Sequence, residues 1–309
     1  MKQKVALALG SGGARGLAHI GVIEELEKNG FEISAVSGSS IGAVIGGFYA
    51  MGKLREYADW LQTLKKRDVY SLMDVAFSTS GLLKGERVFT KLKTFIPDIM
   101  IEDMNIPFAA IATDIIHNKE VVFTEGSFYK AVRASVAIPA IIRPVEEEDS
   151  IFVDGGLLNP VPADRVQRTE GDLLVAVNLY DTSKSPYRKN YKNIQKEETP
   201  EDSIQKNSVP SSSSIDYLHS KIMELIPHGE NQGQSYFSLL QLTTSTMLER
   251  ISQLTLQINK PDILITIPAN SAKTFDFHKA SWLIEKGREA AKQHIGEYFQ
   301  NRSAKYNLL

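Results

Sequence analysis

Two successive strand–loop–helix units in the first fifty residues constrain the fold more than any other feature of this sequence. Each unit begins with a short apolar strand, at residues 5–9 and 33–36, and continues into a loop rich in glycine and serine and then into a helix of small and apolar residues. Strands that alternate with helices favour a parallel sheet, which binds its ligands at the carboxyl ends of the strands. Both loops lie at that end, so we expect them to share one site.

The alternation continues through most of the chain. Short apolar runs bounded by turn or charged residues predict further strands, at residues 108–113, 121–124, 151–153, 173–179 and 262–267. We therefore predict an α/β protein with a doubly wound, mainly parallel central sheet that is flanked by helices.

The C-terminal half contains two helical patterns and one polar stretch. Residues 183–214 hold 8 Ser and 10 charged residues against 5 apolar or aromatic ones, which predicts a mobile surface insertion within a single domain of 309 residues. A C-terminal helix over 281–299, followed by a tail, is expected. An apolar stripe at helical spacing predicts an amphipathic helix that packs on the sheet. The stripe consists of Leu240, Met247, Ile251, Leu254 and Ile258.

Composition excludes several classes of function. The chain has no Cys, which excludes disulfide scaffolds, Cys-ligated zinc, iron–sulfur clusters and thiol nucleophiles. Its 35 Lys and Arg stand against 37 Asp and Glu, without the basic excess of a nucleic-acid-binding protein. No stretch approaches the roughly 18 uninterrupted apolar residues of a membrane-spanning helix, and the N-terminus lacks a secretory pattern. We expect a cytoplasmic protein that at most contacts a membrane surface.

The second glycine loop contains a candidate nucleophile. Gly38, Ser40 and Gly42 fit the Gly-x-Ser-x-Gly pattern, in which the central serine lies on a sharp strand-to-helix turn. Ser40 is then exposed at the N-terminus of a helix, whose dipole favours negative charge. The alternative is an ordinary serine N-cap. The position of the pattern, where a predicted strand becomes a helix, favours the nucleophile.

The first glycine loop offers the backbone N–H groups of Gly12 and Gly13 at a helix N-terminus, where anions bind. Counted from Gly10, the sixth position is Arg15 instead of the glycine of a dinucleotide fingerprint, and the Gly-Lys-Ser/Thr of a P-loop is missing. The best remaining candidate is the oxyanion of an acyl-transfer intermediate, for which one donor is typically worth ~3 kcal/mol. The alternative is a turn whose glycines serve only tight packing.

A candidate base follows a third strand. Asp154 lies between the short strand at 151–153 and Gly155-Gly156, so the chain turns sharply and leaves the carboxylate at the end of the sheet. A solvated turn aspartate is the alternative. None of the six histidines lies in a loop with an evident signature. A Ser–Asp–His triad with His278, or else His294, stays open because the order along the chain is that of α/β-hydrolases.

Three elements in this order resemble the patatin-like phospholipase family. They are Gly12-Gly13-Ala14-Arg15-Gly16, Gly38-Ser39-Ser40-Ile41-Gly42 and Asp154-Gly155-Gly156. The segments at 133–139 and 154–162 are similar to that family as well, and the resemblance covers about residues 4–180. It is closest to short bacterial members that are similar to the neuropathy-target-esterase group.

The resemblance implies a three-layer α/β sandwich that hydrolyses lipid acyl esters through an acyl-enzyme, with a Ser–Asp dyad and without histidine, metal or cofactor. Position by position, Ser40 is the nucleophile, Asp154 the general base, and the Gly12 and Gly13 amides the oxyanion hole. Arg15 fills the basic position of the oxyanion loop, where it either steadies the loop or attracts an anionic head group.

The remaining glycines of the motifs, Gly10, Gly16, Gly155 and Gly156, frame this site. Ser11 departs from the family, because many relatives have a third consecutive glycine there. A lipid ester is the implied partner, with possible contact to a membrane surface. A non-catalytic lipid-binding or adaptor protein on the same fold remains an alternative.

Four further features have plain structural interpretations. The acidic run 146–149 is expected at a solvated hairpin tip rather than in a calcium site, and Thr113-Asp114 in a hydrogen-bonded turn rather than at the site's rim. Residues 80–85 are a candidate lid or acyl-chain mouth. Nearby cations are expected on a solvated helix face, with anionic head groups as the alternative. These cations are Lys84, Arg87, Lys91 and Lys93.

Overall fold

The computed structural model describes residues 2–78, 81–181 and 236–306. The chain forms two compact units, of which one comprises Met1–Lys184 and Leu248–Leu309 and the other Ser185–Met247. All residues of the candidate site belong to the first unit. The insertion predicted at 183–214 lies outside the described residues, and the assignment of a single domain stays a prediction.

An eight-stranded sheet forms the centre of the first unit, in the order β10-β9-β1-β2-β5-β8-β7, with β6 paired to β5. The strands from β10 to β5 in this order pair in parallel, whereas the pairs β5–β6, β5–β8 and β8–β7 are antiparallel. A separate hairpin consists of β3 and β4. The bounds are β1 (Gln3–Leu9), β2 (Phe31–Ser39), β3 (Val75–Ser78), β4 (Gly81–Leu83), β5 (Phe108–Asp114), β6 (Lys119–Phe123), β7 (Val145–Glu147), β8 (Ser150–Asp154), β9 (Leu173–Asp181) and β10 (Ile263–Pro268).

Helices cover both faces of this sheet, which is why its central strands are apolar on both sides. Residues 5–9 of β1, for example, are all fully buried. The predicted α/β fold with a mainly parallel sheet is thereby confirmed. The bounds are α1 (Ala18–Lys28), α2 (Ile41–Ala50), α3 (Leu54–Thr63), α4 (Lys66–Leu72), α5 (Glu86–Lys93), α6 (Phe128–Ser135), α7 (Tyr236–Ile258) and α8 (Ala280–Tyr306).

The close packing of α8 on α1 shows why two glycines lie inside these helices. A Cβ at Gly21 would lie 1.9 Å from the carbonyl oxygen of Ile284, and one at Gly287 would lie 1.9 Å from that of Ala18. Only glycine lets the two backbones come this close. The C-terminal helix predicted from residue 281 is present and extends to Tyr306.

The prediction for α7 was right about the helix and wrong about its packed face. Met247, Leu254 and Ile258 of the predicted stripe are 56%, 41% and 78% exposed. Instead, Ser252 is buried and Leu256 packs against an alanine-rich cluster on β1, β2 and β9. The hydrophobic pattern did not predict this face because Ser252 is polar. Its hydroxyl donates a hydrogen bond to the Leu248 carbonyl, which allows the serine to be buried.

Candidate active site

Ser40 lies on the sharp turn that joins β2 to α2. Its backbone has φ 55° and ψ −124°, a conformation that costs a non-glycine residue of order 1–3 kcal/mol. The flanking glycines make room for this turn, since a Cβ at Gly38 would lie 2.3 Å from the Gly42 carbonyl oxygen and one at Gly42 would lie 2.1 Å from the Leu9 carbonyl oxygen. The turn holds Ser40 at the N-terminal, positive end of α2.

The register of β5 explains how two residues 114 positions apart come into contact. Ser39 at the end of β2 pairs with Ile111, and Asp154 at the end of β8 pairs with the next residue, Ala112. Because β6 occupies the other edge of β5, β2 and β8 share one edge and meet end to end. The antiparallel direction of β8 therefore brings its last residue to the carboxyl end of β2.

Ser40 and Asp154 form a direct hydrogen bond at this junction. The Ser40 hydroxyl donates to Oδ2 of Asp154 over 2.5 Å, and the Gly156 amide donates to Oδ1 over 2.7 Å. Both side chains are almost fully buried. Burial raises the pKa of Asp154 to about 6, against the opposing effect of the hydrogen bonds from Ser40 and Gly156. The carboxylate is thus a stronger base than a solvated aspartate, and it already accepts a hydrogen bond from the Ser40 hydroxyl.

Ser135 is a site residue whose role was not predicted from the sequence. It is the last residue of α6 and fully buried, and its hydroxyl oxygen accepts the backbone N–H of Ser40 over 2.9 Å. The bond anchors the strained turn. In the sequence, only the family resemblance of the segment 133–139 distinguishes Ser135, because a serine among apolar helix residues has no distinctive pattern.

The five amides of the glycine loop, from Gly10 to Ala14, differ in their hydrogen-bond partners. The amides of Gly10, Ser11 and Ala14 donate to the carbonyls of Val177, Pro160 and Thr274. In the part of the chain that the structure describes, the amides of Gly12 and Gly13 have no protein acceptor. These are the two donors proposed for the oxyanion, and Gly13 lines the same cavity as Ser40.

Ser11 and Arg15 both contact Tyr180 on β9. The Ser11 hydroxyl lies 2.8 Å from the Tyr180 hydroxyl, and the Arg15 guanidinium lies 5.8 Å from the centre of the tyrosine ring. Arg15 also donates from Nη1 to the Ala269 carbonyl. Burial lowers the pKa of Arg15, partly offset by Tyr180. These contacts favour the loop-steadying role of Arg15 over the attraction of a head group.

The hydrogen bonds of the described histidines go to groups other than the dyad. His278 is half-buried in a short 3-10 turn, and His294 bonds to Ala290 and Thr266. His117 pairs with Asp114, the last residue of β5. Within the described ranges, the hydrogen-bond partners of the Asp154 carboxylate are Ser40 and Gly156, so the geometry does not support a triad with a histidine.

Thr113 and Asp114 have different roles. Asp114 belongs to a hydrogen-bonded turn, and Thr113 contacts the candidate site. Burial alone would raise the pKa of Asp114, but its hydrogen bonds from His117, Ser150 and the Ile116 amide hold that pKa well below its usual range. Asp114 is therefore a structural turn residue. Thr113 does reach the site, because its hydroxyl donates to the Asp154 carbonyl over 3.2 Å.

An apolar cavity opens beside Ser40. Its walls come from α2, α3, α4, α5, β4 and residues 136–142 and 274–277. Leu83 and Gly85, from the predicted mouth at 80–85, are among the lining residues, whereas Ser80 lies outside the described residues. Its lining includes the hydrocarbon side chains of Val44, Leu61, Leu64, Leu72, Phe89 and Ile142. A cavity of this composition suits an acyl chain.

Neither a cluster of metal-binding side chains nor a membrane-spanning helix is found among the described residues. Over residues 2–78, 81–181 and 236–306, no group of three or more His, Asp or Glu side chains could hold a metal ion. Among the helices that the structure describes, none is long and apolar enough to cross a bilayer. The acidic run at 146–149 lies in the exposed β7–β8 hairpin, as predicted.

Comparisons with known proteins agree on one family. The model of the family described as patatin-like phospholipase matches residues 7–166, more than half of the chain. An uncharacterized NTE family protein of Mycobacterium tuberculosis is 42% identical over 185 residues, which are 60% of this chain and 51% of that protein. This chain thus matches about half the length of that relative.

Two more distant similarities extend the comparison. Patatin-like phospholipase domain-containing protein 7 of Mus musculus is 28% identical over 185 residues, which are 57% of this chain and 13% of that protein. The crystal structure of VipD from Legionella pneumophila covers 96% of this chain and 67% of its own, with 11% identity and a TM-score of 0.46.

Proposed function

The chain belongs to the patatin-like phospholipase family, and from this premise we propose that it is a serine lipid acyl hydrolase that works through a Ser40–Asp154 dyad and an acyl-enzyme. The observation that carries the proposal is the 2.5 Å hydrogen bond from the Ser40 hydroxyl to the Asp154 carboxylate on a strained turn. A strained, buried pair of this kind favours catalysis over stability.

In the first half of the reaction Asp154 takes the proton of Ser40 as Oγ attacks the ester carbonyl carbon. The carbonyl oxygen becomes an oxyanion and accepts hydrogen bonds from the Gly12 and Gly13 amides, which carry no other protein acceptor in the described part of the chain. When the tetrahedral intermediate collapses, the C–O bond to the alcohol breaks, and the protonated Asp154 gives its proton to the leaving oxygen. The acyl group remains on Ser40.

The second half of the reaction mirrors the first. Asp154, ionised again, takes a proton from water as the water oxygen attacks the acyl carbon. The same two amides stabilise the second oxyanion. Collapse breaks the bond to Ser40, whose oxygen takes the proton back from Asp154, and a free fatty acid leaves. No step needs a histidine, metal or cofactor.

The surroundings of Ser40 support a lipid as the substrate. The apolar cavity takes the acyl chain, while the ester reaches the dyad and the head group stays outside. Helix α5 separates the two environments, because Val88, Phe89 and Leu92 line the cavity whereas Arg87 and Lys91 are exposed. We propose that these exposed cations approach an anionic lipid surface, which would bring the cavity to its substrate.

Replacement of the two dyad residues tests this proposal. Ser40→Ala and Asp154→Asn should each lower hydrolysis of a lysophospholipid or a p-nitrophenyl ester at least ~10³-fold in folded protein. A fluorophosphonate probe should label the wild type at Ser40. Ser39→Ala is the matched control, since its buried hydroxyl has no hydrogen-bond partner among the described residues, and it should keep labelling and activity.

The outcomes separate the alternatives. Loss of activity in His278→Ala or His294→Ala would support the Ser–Asp–His triad instead of the dyad, whereas persistent activity in Asp154→Asn would contradict both. A folded wild-type protein that is neither labelled nor active, yet binds lipid, would support the non-catalytic alternative.

A further inference from the structure

His19 is a buried histidine that the proposed reaction does not use. It lies in the first turn of α1 and is fully buried, and its Nε2 is 2.8 Å from the carbonyl oxygen of Gly10. Because a carbonyl oxygen only accepts, Nε2 carries the proton and donates it. The other ring nitrogen, Nδ1, has no hydrogen-bond partner in the described part of the chain.

The protonation state of His19 makes this donor permanent. Burial lowers its pKa to about 4, against the smaller opposing effect of the bond to Gly10. At neutral pH the ring is therefore uncharged and keeps one proton, on Nε2. The Nε2 proton is donated to the Gly10 carbonyl, and the Ser40 hydroxyl donates to Asp154. His19 therefore does not act as the general base.

The accepting carbonyl belongs to the peptide that begins the oxyanion loop. In that same peptide the Ser11 amide donates to the Pro160 carbonyl over 2.8 Å, so both polar groups of the Gly10–Ser11 peptide are held. The amides of Gly12 and Gly13 follow directly. A rotation of the Gly10–Ser11 peptide would turn these amides away from the oxyanion, and donors fixed in advance are what stabilises such a charge.

Packing of α1 does not by itself require a histidine at this position. A buried nitrogen without a partner is unfavourable, and an apolar side chain of similar size would avoid it. Ala18, Ile20 and Val22 on the same helix are fully buried as well. Among the described residues, the hydrogen-bond partner of the ring is the Gly10 carbonyl.

We propose that His19 is a positioning residue that locks the Gly10–Ser11 peptide and thereby aims the Gly12 and Gly13 amides at the oxyanion. The proposal rests on the acyl-hydrolase function proposed above. It assigns to this histidine an effect on the transition state with little effect on substrate binding.

Two replacements of similar size test the role. Gln places its amide nitrogen near the reach of histidine Nε2, whereas Leu removes the donor. His19→Leu should lower kcat for p-nitrophenyl butyrate about tenfold or more and leave KM within roughly twofold. It should slow inactivation of Ser40 by a fluorophosphonate by a similar factor, because the phosphoryl oxygen uses the same amides. His19→Gln should recover most of both rates.

The same measurements identify a failure of the idea. If His19→Leu keeps the wild-type kcat and inactivation rate, or if His19→Gln loses as much as His19→Leu while thermal unfolding is unchanged, the positioning role is wrong. Should His19→Leu not fold, His19→Asn takes its place, since its shorter amide does not reach Gly10. Wild-type protein without labelling or hydrolysis would instead disprove the underlying function.

Discussion

Burial has two opposing effects on Asp154: it increases the basicity of the carboxylate and it destabilises the charged form. Burial raises its pKa to about 6, which brings its basicity close to that of an ordinary histidine, at about 6.5. The same burial makes the charged form costly in the folded protein. The base of the proposed reaction is thus strengthened by an environment that destabilises its active state.

The raised pKa predicts an acid limb in the pH profile. The proposed base must be ionised in the free enzyme, so kcat/KM should fall about tenfold per pH unit below about pH 6 and stay level above it. Hydrolysis of p-nitrophenyl butyrate from about pH 4.5 to about pH 8 measures this limb. A limb centred near pH 4 would contradict the burial of an ionised Asp154.

The same shift predicts that Asp154→Asn stabilises the fold at neutral pH. Because the folded pKa lies above the unfolded value of 3.8, the stability that protonation provides is complete below about pH 4 and lost as pH rises through about 6. The variant should gain about 2–3 kcal/mol in unfolding free energy at about pH 8 and little near pH 3.5. Denaturant unfolding at both pH values is the measurement, and an equal gain at both would contradict it.

At the scale of elements, three segments fix one serine. The β2 strand brings Ser40 to the sheet end, α2 presents its N-terminus, and α6 supplies Ser135 as acceptor of the Ser40 amide. The N-terminus of α6 has a different role. Ser127 caps the helix there by accepting the Lys130 amide.

The two serines at the ends of α6 therefore predict opposite effects. Ser135→Ala should lower kcat about tenfold with a near-normal KM, because the strained turn loses its anchor. Ser127→Ala should cost about 1 kcal/mol of stability and leave kcat unchanged. Steady-state kinetics and thermal unfolding of both variants provide the comparison. Equal kinetics in the two variants would remove Ser135 from the site.

The packed face of α7 is open to a direct test. Ile258 is 78% exposed, so Ile258→Glu should change the unfolding free energy by less than about 0.5 kcal/mol. Leu256 packs on the alanine-rich cluster, so Leu256→Glu should cost about 1–3 kcal/mol. A larger loss in Ile258→Glu would restore the face expected from the hydrophobic stripe.

At the scale of the whole molecule, the cavity is assembled from segments far apart in sequence. Residues from α2 to α5 form most of its wall, and Phe275 and Phe277 complete it from the C-terminal part of the chain. Asp74 ties this wall together, because its carboxylate accepts the amides of Gly85 and Glu86 at the start of α5.

The cavity predicts a dependence on acyl length. Leu64→Trp should fill space along the wall and lower kcat/KM for a long-chain ester about tenfold more than for a short one, since only the long chain needs that space. Kinetics with p-nitrophenyl esters of four and about sixteen carbons give the ratio. Val122→Trp, on an exposed strand position outside the cavity, is the control and should leave the ratio unchanged.

Local pattern was sufficient for the fold class, the two glycine loops and Ser40 as a candidate, whereas Asp154 was preferred to a solvated turn aspartate only through the resemblance of the three motifs to the family. Strand–loop–helix units and turn glycines are set by residues close in sequence, which a linear pattern displays. The packed face of α7 differs from the prediction because hydrophobic spacing cannot show that the Ser252 hydroxyl is buried and donates to the Leu248 carbonyl.

The sequence by itself determined the α/β architecture, its family and which residue types stand at the ends of the strands. Only the tertiary structure decided that β2 and β8 meet on one edge of β5, that Asp154 is buried enough to raise its pKa, and that Ser135 and His19 hold the two loops. The physical reason is that pairing register, burial and long-range hydrogen bonds depend on elements far apart in the chain, whereas a motif records only its own neighbourhood.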